Sequence, residues 1–227
     1  MKIELIIPDK LSELTLGQYQ RFHNIKLQHE AKQIDEVQLK INIISIFCGI
    51  AKDNVRRIRG VQVEQMLDII FPMLSQKQQP LTRRLELDGV QYGFIPMLEE
   101  MTFGEYSDAD TFIPNWDNMH EVMGVLYRPI DRSHGDTYSI KDYELTDSLQ
   151  FKQMPLNICF DALFFLTNLG LDLLRGIADY LAVKPLGNQM ENLTLERNGV
   201  GMEQFIASLG EILDGLKISL AQTSTRA

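Results

Sequence analysis

The chain has 227 residues, a net charge of −9 at pH 7 and a pI of about 5.0, and 44% of its residues are hydrophobic. This length fits one large domain or two small ones, and the composition is ordinary for a folded globular protein. The acidic balance argues against nucleic acid as the primary partner, because proteins that bind nucleic acid usually carry a basic patch.

The two cysteines and the N-terminal residues indicate the cellular setting. Cys48 and Cys159 both lie within apolar helical patterns, so we expect them to be reduced thiols in the core. No secretory signal follows Met1, and we therefore expect an intracellular protein.

The first elements are a short strand and a helix. Apolar residues alternate along the N-terminus, which predicts a strand over about residues 2–7 that ends at Pro8. Thr15 and Gln18 then have the spacing of a capping box, in which each side chain accepts the backbone N–H of the other residue. A helix is expected to follow to about His29.

Thr102 and Glu105 repeat the capping-box pattern, again with a glycine directly after the first helical residue. The similarity to the first box either reflects an old duplication or arises because good helix starts resemble one another. The flanking residues do not align well enough to predict a repeat architecture.

Periodic apolar residues predict three further helices in the first two thirds of the chain. They are expected over residues 34–50, over residues 63–74 with Pro72 bending or ending the helix, and from a cap at Asn115 to a stop at Arg128-Pro129. Residues 76–80 are expected to form a polar linker.

A β-hairpin is predicted over residues 81–96, where two alternating runs flank Asp88-Gly89. This small ribbon could pair with the N-terminal strand. Residues 131–137 are predicted to be a polar loop, and residues 138–143 a short irregular segment.

The most apolar segment spans residues 155–183 and predicts a central helix. Asp161, Asp172, Arg175 and Asp179 interrupt it, which favours a core helix over a membrane span, because an aspartate near a bilayer centre costs at least about 2.5 kcal/mol. If Phe164 lies on the core face, its replacement by Ala should cost about 3–5 kcal/mol.

The sequence therefore predicts a mainly α protein, with a minor β-hairpin in an α+β arrangement, built as a helical bundle around the helix at 155–183. The main domain is expected over residues 1–186. A linker over 187–201, an amphipathic helix over 202–220 and a tail over 221–227 are expected to follow.

No nucleotide-binding loop, dinucleotide fingerprint, nucleophile elbow or zinc-ligand spacing is present, so we assign no catalytic, cofactor-binding or metal-binding residue. Asp131, His134 and Asp136 come nearest to such a site, and an enzyme that uses a metal at residues 131–136 remains an alternative. A basic cluster could bind an acidic partner or nucleic acid, although a solvated helix end explains it more simply; it comprises Arg56, Arg57 and Arg59.

Several strings together resemble small helical proteins of tailed bacteriophages, including proteins of crAss-like phages and proteins of the tail-assembly-chaperone type. The strings are KLSELTLGQY (10–19), VLYRPI (125–130), YSIKDY (138–143), FKQMP (151–155) and ALFFLTNLG (162–170). The resemblance covers roughly residues 1–183.

The resemblance implies a non-enzymatic protein without a cofactor, located in the virion interior and in the host cytoplasm during assembly. Its partners would be other virion proteins of the capsid, portal or tail, with self-association as a further possibility. Two roles are implied: a cargo or structural protein packaged in the capsid or tail, and a tail assembly chaperone.

Overall fold

A computed structural model describes residues 6–75, 79–144 and 148–183, with the backbone alone described for 173–183. Helices predominate over a small four-stranded antiparallel sheet, so the fold is α+β with a helical majority. The elements are α1 (Leu16–Glu30), α2 (Glu36–Phe47), α3 (Lys52–Val55), α4 (Gly60–Leu74), β1 (Arg84–Leu87), β2 (Val90–Phe94), α5 (Phe103–Phe112), α6 (Met119–Leu126), β3 (Tyr127–His134), β4 (Thr137–Ile140) and α7 (Leu156–Val183).

The predicted hairpin is confirmed as β1 and β2, which pair from Arg84 with Gly93 to Leu87 with Val90. Asp88 and Gly89 both have positive φ, of 50° and 77°, as the two-residue turn that matches strand twist requires. The sheet continues in the order β1-β2-β3-β4.

The prediction of a polar loop over 131–137 and an irregular segment over 138–143 is wrong for the residues that form a second hairpin. β3 and β4 pair antiparallel, with Gly135 in the turn at a φ of 57°. Residues 131–137 are all exposed, so the second half of β3 and the turn carry no apolar alternation to reveal them. The alternation of Tyr138 and Ile140 in β4 covers only four residues, which is too short to predict a strand by itself. Arg84 of β1 holds the tip through hydrogen bonds to the Ser133 hydroxyl and the Gly135 carbonyl.

Some predicted segments lie wholly or partly outside the described residues. Of the N-terminal strand only Ile6 and Ile7 are described, and they form no strand. Residues 76–78 of the polar linker, the linker at 187–201, the helix at 202–220 and the tail at 221–227 lie outside the described part of the chain.

The helix starts follow local sequence signals. Both predicted capping boxes form, at Thr15 with Gln18 and at Thr102 with Glu105, and a third that we did not predict joins Asp35 to Gln38. Gln18 also donates its side-chain amide to the carbonyl of Ile46, at 2.9 Å, so the first box connects α1 to the end of α2.

The starts of α1 and α7 are joined to each other by backbone hydrogen bonds. The N–H of Leu16 donates to the carbonyl of Met154, and the N–H of Leu156 donates to the carbonyl of Leu14, both at 2.9 Å. The first amides of a helix have no acceptor inside it. Here the residue two positions before each helix supplies its carbonyl to the first amide of the other helix. We refer to this arrangement as the α1–α7 junction.

The core surrounds this junction. Leu16 and Leu156 are completely buried, and the ring of Tyr19 packs against Trp116 and Phe160 at centroid distances of 4.7 and 5.2 Å. The expected core position Phe164 is only partly buried, because the helix turns its neighbour Leu163 fully into the core instead.

One buried carboxylate lies on α7. Asp161 is 5% exposed, and its Oδ1 accepts the backbone N–H of Gln79 at 3.1 Å. Burial raises the pKa of Asp161, and this hydrogen bond only partly opposes the effect.

None of the helices in the described ranges combines the length and the hydropathy that a membrane span requires.

The α1–α7 junction yields a stability prediction. We expect Leu156→Ala to lower the free energy of unfolding by about 2–5 kcal/mol, because it leaves a cavity between two helix starts. Leu149→Ala, at a side chain that is 51% exposed just before the junction, should change it by less than about 0.5 kcal/mol. Urea denaturation followed by circular dichroism measures both, and equal effects would contradict the assigned core.

Asp161 yields a pH prediction. Its pKa is higher in the folded state than in the unfolded chain, so ionisation destabilises the fold at neutral pH and stability should rise as the pH falls through the raised pKa. Asp161→Asn keeps an acceptor for the Gln79 amide and removes the charge. We expect this variant to be more stable than the parent at pH 7, with the advantage lost below about pH 4. Denaturation midpoints from pH 3 to 8 test this, and a less stable variant at pH 7 would refute it.

Candidate functional site

The residues proposed as a metal loop lie along the exposed second hairpin. Asp131 and His134 belong to β3, and Asp136 lies in the turn before β4. Within the described ranges, no group of three or more histidine, cysteine or acidic side chains is gathered in a way that could hold a metal ion. The structure therefore does not assemble the 131–136 segment into a metal site there.

The predicted basic cluster lies in the connection between α3 and α4. Arg56, Arg57 and Arg59 are all exposed, at the end of α3 and just before α4. This position matches the simpler expectation of a solvated helix end.

A polar cavity of about 630 Å³ lies between the sheet, α6 and the 3₁₀ turn that precedes α7. Glu121, Arg128, Lys141 and Asp142 contribute charges of both signs to its lining. The guanidinium of Arg128 contacts the carboxylate of Glu105 at 2.7 Å. Its Nε has no hydrogen-bond partner among the described residues. The cavity thus offers charged groups of both signs, and its one buried guanidinium is already neutralised by Glu105.

A larger and more apolar groove, of about 800 Å³, lies between the segment that follows β2, helix α5 and helix α7. We refer to it as the apolar groove. Its apolar lining includes Phe94, Ile95, Met97, Leu98, Met101, Phe103, Tyr106, Phe165, Leu166 and Leu169. Concave apolar surfaces with few polar groups are the usual binding sites of folded proteins.

Two large side chains of the apolar groove face solvent. Phe103 is 85% exposed and Met97 is 49% exposed. Phe103 is the first residue of α5, whereas the first residues of α1 and α7, Leu16 and Leu156, are 0% exposed. The equivalent residue is buried in the other two helices, so the exposed phenylalanine indicates a surface of α5 that lacks a covering element.

The second capping box anchors one wall of the apolar groove. The carboxylate of Glu105 accepts the N–H of Thr102, and its other oxygen contacts Arg128 of β3 at 2.7 Å. Glu105 is 2% exposed and the side chain of Arg128 is 14% exposed, so this ion pair is mostly buried and ties the start of α5 to the sheet. The hydroxyl of Tyr143 adds a second tie to α5 through Asp108, at 2.7 Å.

The apolar groove was not predicted from the sequence. Both capping boxes can be recognised in the sequence, but nothing in the neighbouring residues distinguishes the buried Leu16 from the exposed Phe103. The difference arises from α7, whose start covers α1 and whose next turns form only the side of the groove.

No protein-family model matches the chain. No curated protein and no solved structure matches it either. Any assignment of function therefore depends on the residues and geometry of this chain.

The ion pair that anchors the α5 wall of the apolar groove yields a prediction. Glu105→Gln preserves the capping box, since glutamine fills the same position in the first box, but it leaves the charge of Arg128 without its partner. We expect a loss of about 3–5 kcal/mol in unfolding free energy, as for other broken buried pairs. Glu100→Gln, at an exposed position nearby, is the matched control and should be close to neutral. Equal denaturation midpoints for the two variants would refute this role of Glu105.

Proposed function

We propose that this chain is a non-enzymatic, virion-associated protein of a tailed bacteriophage that works by binding other virion proteins. In this proposal it is a cargo or structural protein packaged in the capsid or tail. The observation that carries the proposal is the apolar groove, with Phe103 85% exposed at its edge. The resemblance of residues 10–19 and 151–170 to small helical phage proteins supplies the setting.

The chemistry of the groove suggests the kind of partner segment. Its floor and walls are mostly apolar, while Glu99 and Glu100 stand exposed beside Phe103 and Met97. A partner segment with apolar anchors and a flanking lysine or arginine would complement both features. We place this binding in the host cytoplasm during assembly and in the interior of the virion.

A tail assembly chaperone is the alternative, because an exposed apolar groove also suits temporary binding of an unassembled tail protein. Quantitative mass spectrometry of purified virions separates the two roles. A fixed, multiple copy number in the particle would support the cargo role. Presence in infected cells together with absence from the particle would support the chaperone role.

The groove predicts the phenotype of one substitution. Phe103→Asp should weaken partner binding by about 30-fold or more, the loss expected for an aromatic anchor. It should leave the stability of the core almost unchanged, because Phe103 packs into no part of the described core. Val37→Asp, at a side chain of α2 that is 65% exposed, is the matched control. Copies of each variant supplied during infection would be counted in purified particles. Incorporation of both at the parent level would contradict the groove as the binding face of a packaged protein.

A further inference from the structure

A six-residue pattern recurs at the helix starts. It has apolar residues at its first, fourth and sixth positions and threonine or proline at its fifth. Three copies lie at helix starts, and they are LSELTL at 11–16, LEEMTF at 98–103 and FKQMPL at 151–156. In each copy a 3₁₀ turn is followed by two non-helical residues and then by the first residue of α1, α5 or α7. We number them the first, second and third copies. The same spacing also occurs in YGFIPM at 92–97, which overlaps the end of β2 and starts no α-helix.

The first and third copies pair with each other. Their fifth residues, Thr15 and Pro155, form an antiparallel bridge, flanked by the two hydrogen bonds of the α1–α7 junction. In each copy the fourth residue supplies its carbonyl and the sixth its N–H, so the pair is reciprocal. Leu16 and Leu156, the sixth residues, are buried by this pairing.

The second copy has the same backbone but not the same pairing. Across the described ranges, no backbone group bonds to the carbonyl of Met101 or to the N–H of Phe103, the two groups used at the junction. Phe103 is exposed, and the apolar groove begins beside it. The second copy therefore presents an open half of the pair formed by the other two.

A fourth copy, MENLTL at 190–195, follows α7 in the part of the chain that the structure does not describe. It matches the pattern at all four positions, within the residues that the sequence predicts to be a linker. The first and third copies are paired with each other, and the match at 92–97 is already paired with β3 through Tyr92, Gly93 and Phe94. The fourth copy is therefore the complement that remains for the open second copy.

We propose that the fourth copy pairs with the second copy of the same molecule, as the third pairs with the first. Thr194 would lie opposite Thr102, the N–H of Leu195 would donate to the carbonyl of Met101, and the N–H of Phe103 would donate to the carbonyl of Leu193. The apolar side chains of the fourth copy would then cover Phe103 and enter the apolar groove.

The length of the intervening chain permits this pairing. Helix α7 borders the groove at Leu169 and Gly170 and ends at Val183. From Gly170 to Val183 a helix rises about 20 Å. The extended chain from Val183 to Met190 spans up to about 25 Å, which is enough to return to the groove.

The residues after the fourth copy differ from those after the three helix-starting copies. Arg197 stands where Gln18 and Glu105 complete the capping boxes, and Gly199 and Gly201 come soon after. The proposed pairing uses only backbone groups and apolar side chains of residues 190–195, so it needs no helix after Leu195.

Occupation of the groove also means that an incoming partner must displace this segment, a consequence that rests on the proposed function.

Hydrogen exchange of the Phe103 amide in the full chain tests the pairing. The first amide of a helix has no intrahelical acceptor, so protection of this amide requires an external one. We expect Phe103 to be protected to a degree similar to the amides of Leu16 and Leu156, measured by NMR in the same sample. Those two amides also report whether each variant remains folded.

Two proline substitutions form a matched pair. Thr194→Pro should be tolerated, because Pro155 occupies that position in the third copy. Leu195→Pro suits the backbone of a first helical residue but removes the donated N–H, so it should reduce Phe103 protection at least tenfold. An unprotected Phe103 in the parent chain, or equal protection in both variants, would overturn the proposal.

A disulfide distinguishes this molecule from a second copy. Residues that face each other across such a bridge have Cα atoms about 4.5 Å apart, within the range of a disulfide. The double variant Thr102→Cys with Thr194→Cys, made in a Cys48→Ser background, should oxidise to a cross-linked monomer. Cys159 can stay in place because it is fully buried. A disulfide-linked dimer would assign the groove to the segment of another molecule and overturn the proposal. Virion incorporation is scored separately, so failure of the pairing does not count against the proposed function.

Discussion

The structure depends on two hydrogen bonds that join the first turns of α1 and α7. They satisfy amides that a helix cannot satisfy by itself, and they bring residues near both ends of the described chain into one core. Around them lie Tyr19, Trp116 and Phe160, so the aromatic centre of the core is assembled where the two helices start. The sheet and the remaining helices are arranged about this point, and the apolar groove is the place where the same arrangement is left open.

The groove combines a rigid wall with an open edge. Its wall is held by the contact between Glu105 and Arg128. Its edge exposes Phe103, whose N–H, like the carbonyl of Met101, has no backbone partner in the part of the chain that the structure describes. This combination suits the addition of an extended segment, whose main chain pairs with the edge and whose side chains fill the groove. A binding protein benefits from it, because a preformed site loses little entropy when a partner is bound.

Local signals in the sequence were sufficient for the elements whose ends are chemically marked. The boxes at Thr15 and Thr102 and the turn at Asp88-Gly89 could be predicted because each depends on residues only a few positions apart. The second hairpin could not, since the exposed half of β3 shows no alternation and the tip is held by Arg84 from a distant strand. The groove is likewise a product of tertiary packing: Leu16 and Phe103 look alike in sequence, and only the position of α7 makes one buried and the other exposed.

The α1–α7 junction also constrains how the protein folds during its synthesis on the ribosome. Leu16 has no acceptor until Met154 has been synthesised and has emerged, and Gln20 similarly waits for the carbonyl of Trp116. At about 5–20 residues per second, the intervening chain takes roughly 7–30 seconds to make. During that interval the apolar face of α1 lacks its cover, so the nascent chain is exposed to aggregation until α7 begins to form.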